Sequence, residues 1–173
     1  MQNKMTSLIS RFFCIVHLIA GSTGYFVNNW DQPFNFNCPP GQVISYVSSI
    51  HDNGAEDRRW EFLCRAVANT HSCSHSGYVN TFDNPVVFRC PGHQVMTGVN
   101  SYHSNGNEDR RYGFYCCNVA SLKTCDCYIT GYVNDWDEKL TLVVPEGKAI
   151  KGAFSHHDNG REDRIWQFEI CNL

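Results

Sequence analysis

The chain has 173 residues, and 42% of them are hydrophobic, which is enough for one well-buried core and excludes a disordered protein. Its formal net charge of -3 gives no basic excess, so general binding to nucleic acid through phosphate neutralisation is excluded. Ten cysteines in so short a chain indicate disulfide bonds and an oxidising compartment.

The N-terminal segment, residues 1–24, has the features of a secretory signal peptide. Lys4 and Arg11 precede an apolar run, Phe12 to Ala20, and small residues follow that run. The run is far shorter than the roughly 20 residues that cross a bilayer, so we expect no membrane insertion. The sequence therefore predicts a secreted protein whose single domain occupies residues 25–173.

The rest of the chain repeats one sequence pattern three times, at offsets of 52 and 54 residues. The copies open with YFVNNW, GYVNTF and GYVNDW, and each continues without a gap to a His that begins a polar Asn-Gly segment. They cover residues 25–65, 77–118 and 131–171. The same register in all three copies predicts a repeated structural unit.

Each copy has the pattern of β-structure. In the first copy, short apolar runs at Val27–Trp30 and Phe34–Cys38 precede an alternating run, Val43–Ile50. A polar turn at Asn53-Gly54 then leads to a second alternating run that begins at Arg58. About four strands per copy, without helical periodicity, predict an all-β domain with pseudo-threefold symmetry. A β-prism is the favoured architecture, and a β-trefoil is the alternative.

The cysteine spacing follows the repeat. Two pairs are separated by 26 residues and two by 44, and where a copy lacks one member of a pair it also lacks the other. Paired absence is expected of covalent partners, because a lone thiol in an oxidising compartment finds a wrong partner. The predicted structural disulfides are Cys38–Cys64, Cys90–Cys116, Cys73–Cys117 and Cys127–Cys171. Cys125 is left over, unless it replaces Cys127, and the remaining thiol is available for a disulfide-linked dimer.

Metal binding is an alternative use of the His, Cys and acidic residues. Cys116-Cys117 and Cys125-x-Cys127 lack the usual zinc-site spacing, and zinc would also need reduced thiols. Asp52-Asn53-Gly54 offers oxygen ligands for calcium, but the calcium-loop pattern with its distant Glu is absent. We therefore expect neither a metal nor another cofactor.

The polar tip of each hairpin is the candidate functional element. Strand alternation places Arg58, Trp60 and Phe62 on one face, so the arginine lies at the edge of an apolar surface. If the arginine pairs with Glu56 or Asp57 of its own tip and contacts the following aromatic ring, the tip is scaffold. If the tips instead bind sugar rings, the candidate ligand-binding residues are His51, Asp52, Asn53, Glu56, Arg58, Trp60, His103, Asn105, Glu108, Arg110, Tyr112, His157, Asp158, Asn159, Glu162, Arg164 and Trp166.

The pattern favours binding over catalysis. The only His, Glu and Asp constellation is repeated three times, whereas catalytic sites generally need unlike groups with separated pKa values. Repetition of one constellation suits multivalent binding. Arg58-Arg59 and Arg110-Arg111, with Lys123, form a candidate basic patch for a sulfated polysaccharide.

Three Asp-Arg-x-aromatic-x-Phe motifs, at Asp57–Phe62, Asp109–Phe114 and Asp163–Phe168, occur with Tyr-Val-Asn segments and the Cys116-Cys117 pair. Together they resemble the dermatopontin family over essentially all of residues 25–173, although the middle motif has Tyr in place of Trp.

The resemblance implies a secreted, non-enzymatic extracellular-matrix protein that associates with collagen fibrils and with the sulfated glycosaminoglycans of proteoglycans. It also implies cell adhesion through surface receptors. Invertebrate relatives look like haemagglutinins or shell-matrix components, and a soluble defence lectin is the alternative function. The chain lacks the later Cys that would partner Cys125 in the family, and the tyrosine enrichment linked to sulfation is reduced.

Overall fold

The computed structural model describes residues 25–119 and 123–173, with the side chains of residues 123–125 left out. The predicted signal peptide and the Cys125 side chain therefore lie outside the described residues. Within these ranges, no helix is long and apolar enough to cross a membrane. The strands are β1 (Phe34–Asn37), β2 (Gln42–Asp52), β3 (Asp57–Ala66), β4 (Thr70–Tyr78), β5 (Val86–Arg89), β6 (Gln94–Ser104), β7 (Asp109–Val119), β8 (Lys123–Ile129), β9 (Leu140–Val143), β10 (Lys148–Asp158) and β11 (Asp163–Asn172).

The strands form three antiparallel sheets, in the orders β1-β6-β7-β4, β5-β10-β11-β8 and β3-β2-β9. Each sheet is built on one long hairpin, in agreement with the alternating runs on both sides of each polar turn. The short strand beside each hairpin comes from another sequence copy: β1 pairs with β6, β5 with β10 and β9 with β2. The all-β prediction is confirmed, and the interlocked sheets are compatible with the predicted pseudo-threefold arrangement.

The strand prediction fails at two kinds of segment. Val27–Trp30 is irregular: the Val27 amide donates to the Trp60 carbonyl, at 2.7 Å, but a side chain makes the next contacts. Asn28 donates to the Arg58 carbonyl and accepts from the Trp60 amide, so its carboxamide replaces a strand ladder. Conversely, β4 was not predicted, because its side chains are mostly polar and exposed and show no hydrophobic alternation.

The larger of two hydrophobic clusters among the described residues lies between the sheets. Trp60 of β3, Tyr112 of β7 and Trp166 of β11 meet edge to face at its centre, with ring centroids 4.8 to 5.8 Å apart. This T-shaped geometry is favourable for aromatic pairs. Trp60 stacks on Phe62 and Trp166 on Phe168 of its own strand. All three central residues are buried. These three rings, which we call the aromatic floor, therefore lie beneath all three hairpin tips.

Four disulfides fasten the sheets, and they are the pairs that the matched spacings predicted: Cys38–Cys64, Cys90–Cys116, Cys73–Cys117 and Cys127–Cys171. The third copy has Val144 and Ile170 where the first two copies have a Cys pair, and both of these residues are buried. A hydrophobic contact thus takes the place of one covalent link. Each disulfide contributes about 2 to 4 kcal/mol to stability.

Candidate functional site

Three tip arginines are buried together beside the aromatic floor, only 2 to 3% exposed. Each makes a two-point salt bridge to an aspartate of a different copy, with N–O distances of 2.5 to 2.7 Å. The pairs are Arg58–Asp163, Arg110–Asp57 and Arg164–Asp109. These six residues, which we call the inner ring, connect all three hairpins in a closed cycle.

The prediction that each arginine pairs with an acidic residue of its own tip is wrong. The Asp57 carboxylate accepts both of its charged hydrogen bonds from Arg110, and Arg58 reaches Asp163 instead. The expected contact with the following aromatic ring is also replaced. Arg110 lies 5.8 Å from the ring centre of Phe34, while the aromatic residues after the arginines pack on one another.

Backbone groups complete the inner ring. Each arginine Nη2 also donates to a carbonyl, at 3.0 to 3.1 Å, and these carbonyls belong to Glu138, Gln32 and Asn84. Each ring aspartate accepts a backbone N–H at 2.8 Å, and these amides belong to Asp137, Asp31 and Asp83. The buried charges are therefore paired, and they are hydrogen-bonded at Nε and Nη2, which favours tolerance of a buried ion pair, while Nη1 of each arginine has no partner among the described residues.

The pKa of Asp57 shows the electrostatic effect of these contacts. Burial alone raises the pKa of this carboxyl, but the His103 ring nitrogen 3.3 Å away, with the hydrogen bonds and charge of Arg110, outweighs burial and lowers the pKa to about 2. The carboxylate therefore stays charged over the whole physiological range. Tyr112, under the ring, has a raised pKa because it is fully buried, and it stays neutral.

The three tips enclose one polar cavity beside the inner ring, with a volume of about 20 Å³, enough for one water molecule or a small ion. Besides the ring and Tyr112, its lining residues are His51, His103, His157, Glu56, Glu108 and Glu162. The histidine side chains are 1% exposed and lie 3.3 to 4.0 Å from the ring carboxylates. The tips thus build one composite surface, not three separate sites.

The glutamates make this composite surface acidic. All three have left-handed backbone, with φ of 46 to 47°, which is unusual for a residue other than glycine or asparagine. The pKa of Glu162 is raised by burial and by the nearby carboxylates of Glu108, Asp83 and Glu56, against a lowering effect of His157. The cluster therefore presents converging carboxylates at the end of the molecule where the tips meet.

Three groups of one His and two Asp have ligand atoms within 4.8 Å of one another, and these groups are Asp31–Asp57–His103, His51–Asp137–Asp163 and Asp83–Asp109–His157. In every group one aspartate already accepts a two-point bond from a ring arginine. A metal ion would have to displace that guanidinium. The donor set fits the ion pair better than it fits a metal.

The predicted ligand-binding residues fall into two structural groups. The six that are buried in the inner ring or core are Arg58, Arg110, Arg164, Trp60, Tyr112 and Trp166. Those with exposed or half-buried positions are His51, Asp52, Asn53, Glu56, His103, Asn105, Glu108, His157, Asp158, Asn159 and Glu162, although the His side chains point inward. Ligand binding by the accessible group stays a prediction.

Some accessible tip residues also shape the turn. Asp52 Oδ1 accepts the backbone amides of Gly54 and Ala55, at 3.0 and 2.9 Å, and Asp158 Oδ1 accepts the amide of Gly160, at 3.0 Å. These side-chain contacts fix the loop and leave the neighbouring asparagines exposed.

Arg59 and Arg111 were predicted as part of one basic patch with their ring neighbours, but the structure separates them. Strand alternation turns them to the outer face of the sheets, where Arg59 Cζ lies 4.4 Å from the Phe26 ring centre. Arg111 Cζ lies 5.2 Å from the Tyr78 ring centre. The signal that would have found this arrangement is the same alternation that placed Arg58 on the inner face. The side chain of Lys123, the third member of that patch, lies outside the described residues.

The sequence is similar to known proteins over most of its length. A family model described as Dermatopontin matches residues 28–173. The chain is 50% identical over 146 residues to "Dermatopontin" of Biomphalaria glabrata, covering 84% of this chain and 99% of the relative. It is 44% identical over 150 residues to "Hemagglutinin/amebocyte aggregation factor" of Limulus polyphemus, covering 86% and 87%. It is 26% identical over 155 residues to human "Dermatopontin", covering 86% and 77%.

No solved structure matches the chain. The relatives support an extracellular-matrix or lectin-like role, and the four disulfides agree with an extracellular location. The predicted covalent dimer has no support from the relatives, and the Cys125 side chain that would form it is not among those described.

Proposed function

Because the chain belongs to the dermatopontin family, we propose that it is a secreted, non-enzymatic matrix protein that links collagen fibrils to sulfated glycosaminoglycans of proteoglycans and supports cell adhesion through surface receptors. The observation that carries the proposal is that the fold presents two surfaces of opposite chemistry. One is the acidic composite surface of the tips, and the other is the outer face with its half-buried Arg59 and Arg111.

The composite surface suits a basic, hydrogen-bonding partner. Its glutamates converge from three copies, and exposed asparagines such as Asn53, Asn105 and Asn159 flank them. Carboxylates and amides accept hydrogen bonds from the lysine and arginine side chains that a collagen fibril exposes. Because one surface gathers groups from three tips, several weak contacts add within one encounter.

The structural role of the inner ring supports a non-enzymatic function. Its arginines, aspartates and the neighbouring histidines repeat similar contacts three times, and each arginine forms an ion pair. Proton-transfer chemistry generally requires unlike groups whose pKa values are pushed apart. The repeated, paired arrangement instead holds the tips in fixed positions for binding.

A soluble defence lectin is the second candidate function. The relative whose name includes "Hemagglutinin" covers nearly the same part of the chain, at 44% identity. In that case the exposed amide and carboxylate groups of the tips bind the hydroxyl groups of neutral sugars.

Binding of the purified mature protein to immobilised collagen fibrils, sulfated glycosaminoglycans and neutral glycans tests both candidates. The matrix function predicts binding to collagen and to sulfated chains, with the latter weakened by salt. Neutral-glycan binding without collagen binding would favour the lectin. A triple variant with Asn53, Asn105 and Asn159 changed to Ala separates tip contacts from outer-face contacts. Failure of the mature protein to bind any of the three immobilised ligands would contradict both functions.

A further inference from the structure

Two sheets carry an arginine fixed against aromatic rings on the outer face. Arg59 lies 4.4 Å from the ring centre of Phe26 and 5.5 Å from that of Trp30. Arg111 lies 5.2 Å from the ring centre of Tyr78 and 6.0 Å from that of Tyr102. Such cation-π contacts orient the planar guanidinium while keeping its charge.

A backbone carbonyl anchors each of these arginines at the same atom. Arg59 Nε donates to the Asn28 carbonyl at 3.2 Å, and Arg111 Nε donates to the Asn80 carbonyl at 2.8 Å. The two asparagines are buried and are held by their own side-chain bonds to β3 and β7. The anchor is therefore rigid, and less side-chain entropy is lost when a ligand binds.

The terminal nitrogens of these arginines remain available. Among the described residues, neither Arg59 nor Arg111 has a carboxylate oxygen within ion-pair distance, whereas Arg89 pairs with Glu169 at 2.8 Å. Arg111 Nη1 donates to the Tyr102 hydroxyl at 3.2 Å, which leaves Nη2 for a ligand. Arg59 Nη1 and Nη2 have no partner among the described residues, so they present a complete two-point fork.

We propose that Arg59 and Arg111, at corresponding positions of two copies, are two subsites for the sulfate groups of an anionic polysaccharide. This inference rests on the proposed function and names its polyanion-binding residues. An oriented guanidinium fork matches the oxygen geometry of a sulfate group, and the adjacent exposed ring of Tyr78 offers apolar contact to a sugar. Two subsites on one domain allow a long chain to bind by avidity despite the acidic net charge.

The third copy has no arginine at this position and serves as an internal comparison for the subsite. Ile165 stands where the other copies have Arg59 and Arg111, yet the surrounding framework is kept. Asn134 makes the same two side-chain bonds, to the Arg164 carbonyl and the Trp166 amide, and Tyr132 is half exposed. The structure thus assigns two subsites, and a single substitution at Ile165 would create a third.

The test is the affinity and salt dependence of heparin binding by the mature protein. The matched variants are R59A, R111A, the double variant and I165R, with K139A as a control that removes an exposed charge elsewhere. We expect each single variant to weaken binding about threefold to tenfold, the double variant more, and I165R to strengthen binding about twofold to threefold. K139A should stay within about twofold, because it removes only a diffuse charge.

R59A should exceed R111A in effect, because the Arg59 fork is wholly free. Cooperative thermal melting of each variant verifies the fold. If the wild-type protein binds heparin and the double variant binds it equally well with the same salt dependence, the subsite assignment is overturned while the proposed function stands. If the wild-type protein does not bind heparin, the glycosaminoglycan part of the proposed function fails together with the subsites.

Discussion

Arg110 and Arg111 are neighbours in the chain and have opposite surroundings. Arg110 is 2% exposed, and its Nε and Nη2 bind Asp57 and a backbone carbonyl. Arg111 lies on the outer face against aromatic rings, without a carboxylate partner among the described residues. The same contrast separates Arg58 from Arg59. One Arg-Arg dipeptide therefore supplies both a scaffold contact and a surface charge, and strand alternation decides which residue does which.

Substitutions of the two neighbouring arginines should also differ in their effect on the free energy of unfolding. Removal of one partner from a buried ion pair leaves an uncompensated charge and costs about 3 to 5 kcal/mol. Substitution of Arg111, which makes cation-π contacts and uncharged-acceptor hydrogen bonds but no ion pair, costs less, about 1 kcal/mol. Charge and composition are identical for the two neighbours, so only their environment predicts which substitution unfolds the protein and which affects binding.

The largest expected effect is that of Arg110→Ala. The free energy of unfolding should fall by about 3 to 5 kcal/mol, because Asp57 keeps a buried charge without its two-point partner. Urea denaturation with the disulfides intact measures the change. Arg111→Ala is the matched control, and equal destabilisation by the two variants would break the comparison.

Asn80→Ala tests the connection between the two faces. The Asn80 side chain donates to the Arg110 carbonyl and accepts from the Tyr112 amide, at 3.0 and 2.9 Å, so its loss leaves two buried backbone groups unpaired. We expect a loss of about 2 kcal/mol of stability in urea denaturation. Asn84→Ala, which removes an exposed carboxamide, should have little effect. A similar loss for both variants would show that burial of Asn80 is not the cause.

Acid should weaken the inner ring. The pKa of Asp57 is about 2 in the folded protein against an ordinary value of 3.8. A lowered pKa stabilises the fold above pH 4, and this contribution, about 2 kcal/mol, is lost as the pH falls from about 4 to about 2. Unfolding free energies measured between pH 2 and pH 7 should therefore decline less steeply for Asp57→Asn than for the wild-type protein. Parallel profiles would contradict the assignment.

The smallest expected effect is that of Arg59→Lys. The ammonium keeps the positive charge but loses the two-point fork, so heparin affinity should fall by about twofold to threefold while the melting temperature stays unchanged. Surface plasmon resonance at two salt concentrations measures the affinity. A loss as large as that of Arg59→Ala would mean that geometry, not charge, dominates the contact.

The sequence predicts the elements whose signals are local. Alternation around Asn53-Gly54 predicts the hairpin, and matched absence at Val144 and Ile170 predicts the disulfide pairs. The partner of Arg58 was missed because Asp57 is adjacent in sequence, whereas the true partner, Asp163, is 105 residues away. No single-copy pattern reveals a ring that closes only when three hairpins meet.

Other parts of the molecule lacked a hydrophobic signal. The exposed, polar side chains of β4 gave no alternation, so its pairing with β7 depends on tertiary structure and on the Cys73–Cys117 link. In contrast, the outward position of Arg59 follows from strand alternation, because the same alternation places the preceding residue, Arg58, on the inner face. That part of the candidate site was predictable from the sequence once the strand was assigned.

The most direct test of the contrast is the unfolding free energy of Arg110→Lys measured beside that of Arg111→Lys. Both substitutions keep the charge, but only at residue 110 does a lysine remove a buried two-point salt bridge and its extra carbonyl contact. We predict a loss of more than about 2 kcal/mol for Arg110→Lys and a change of no more than about 1 kcal/mol for Arg111→Lys. Equal changes at the two positions would contradict the division into an inner scaffold and an outer binding surface.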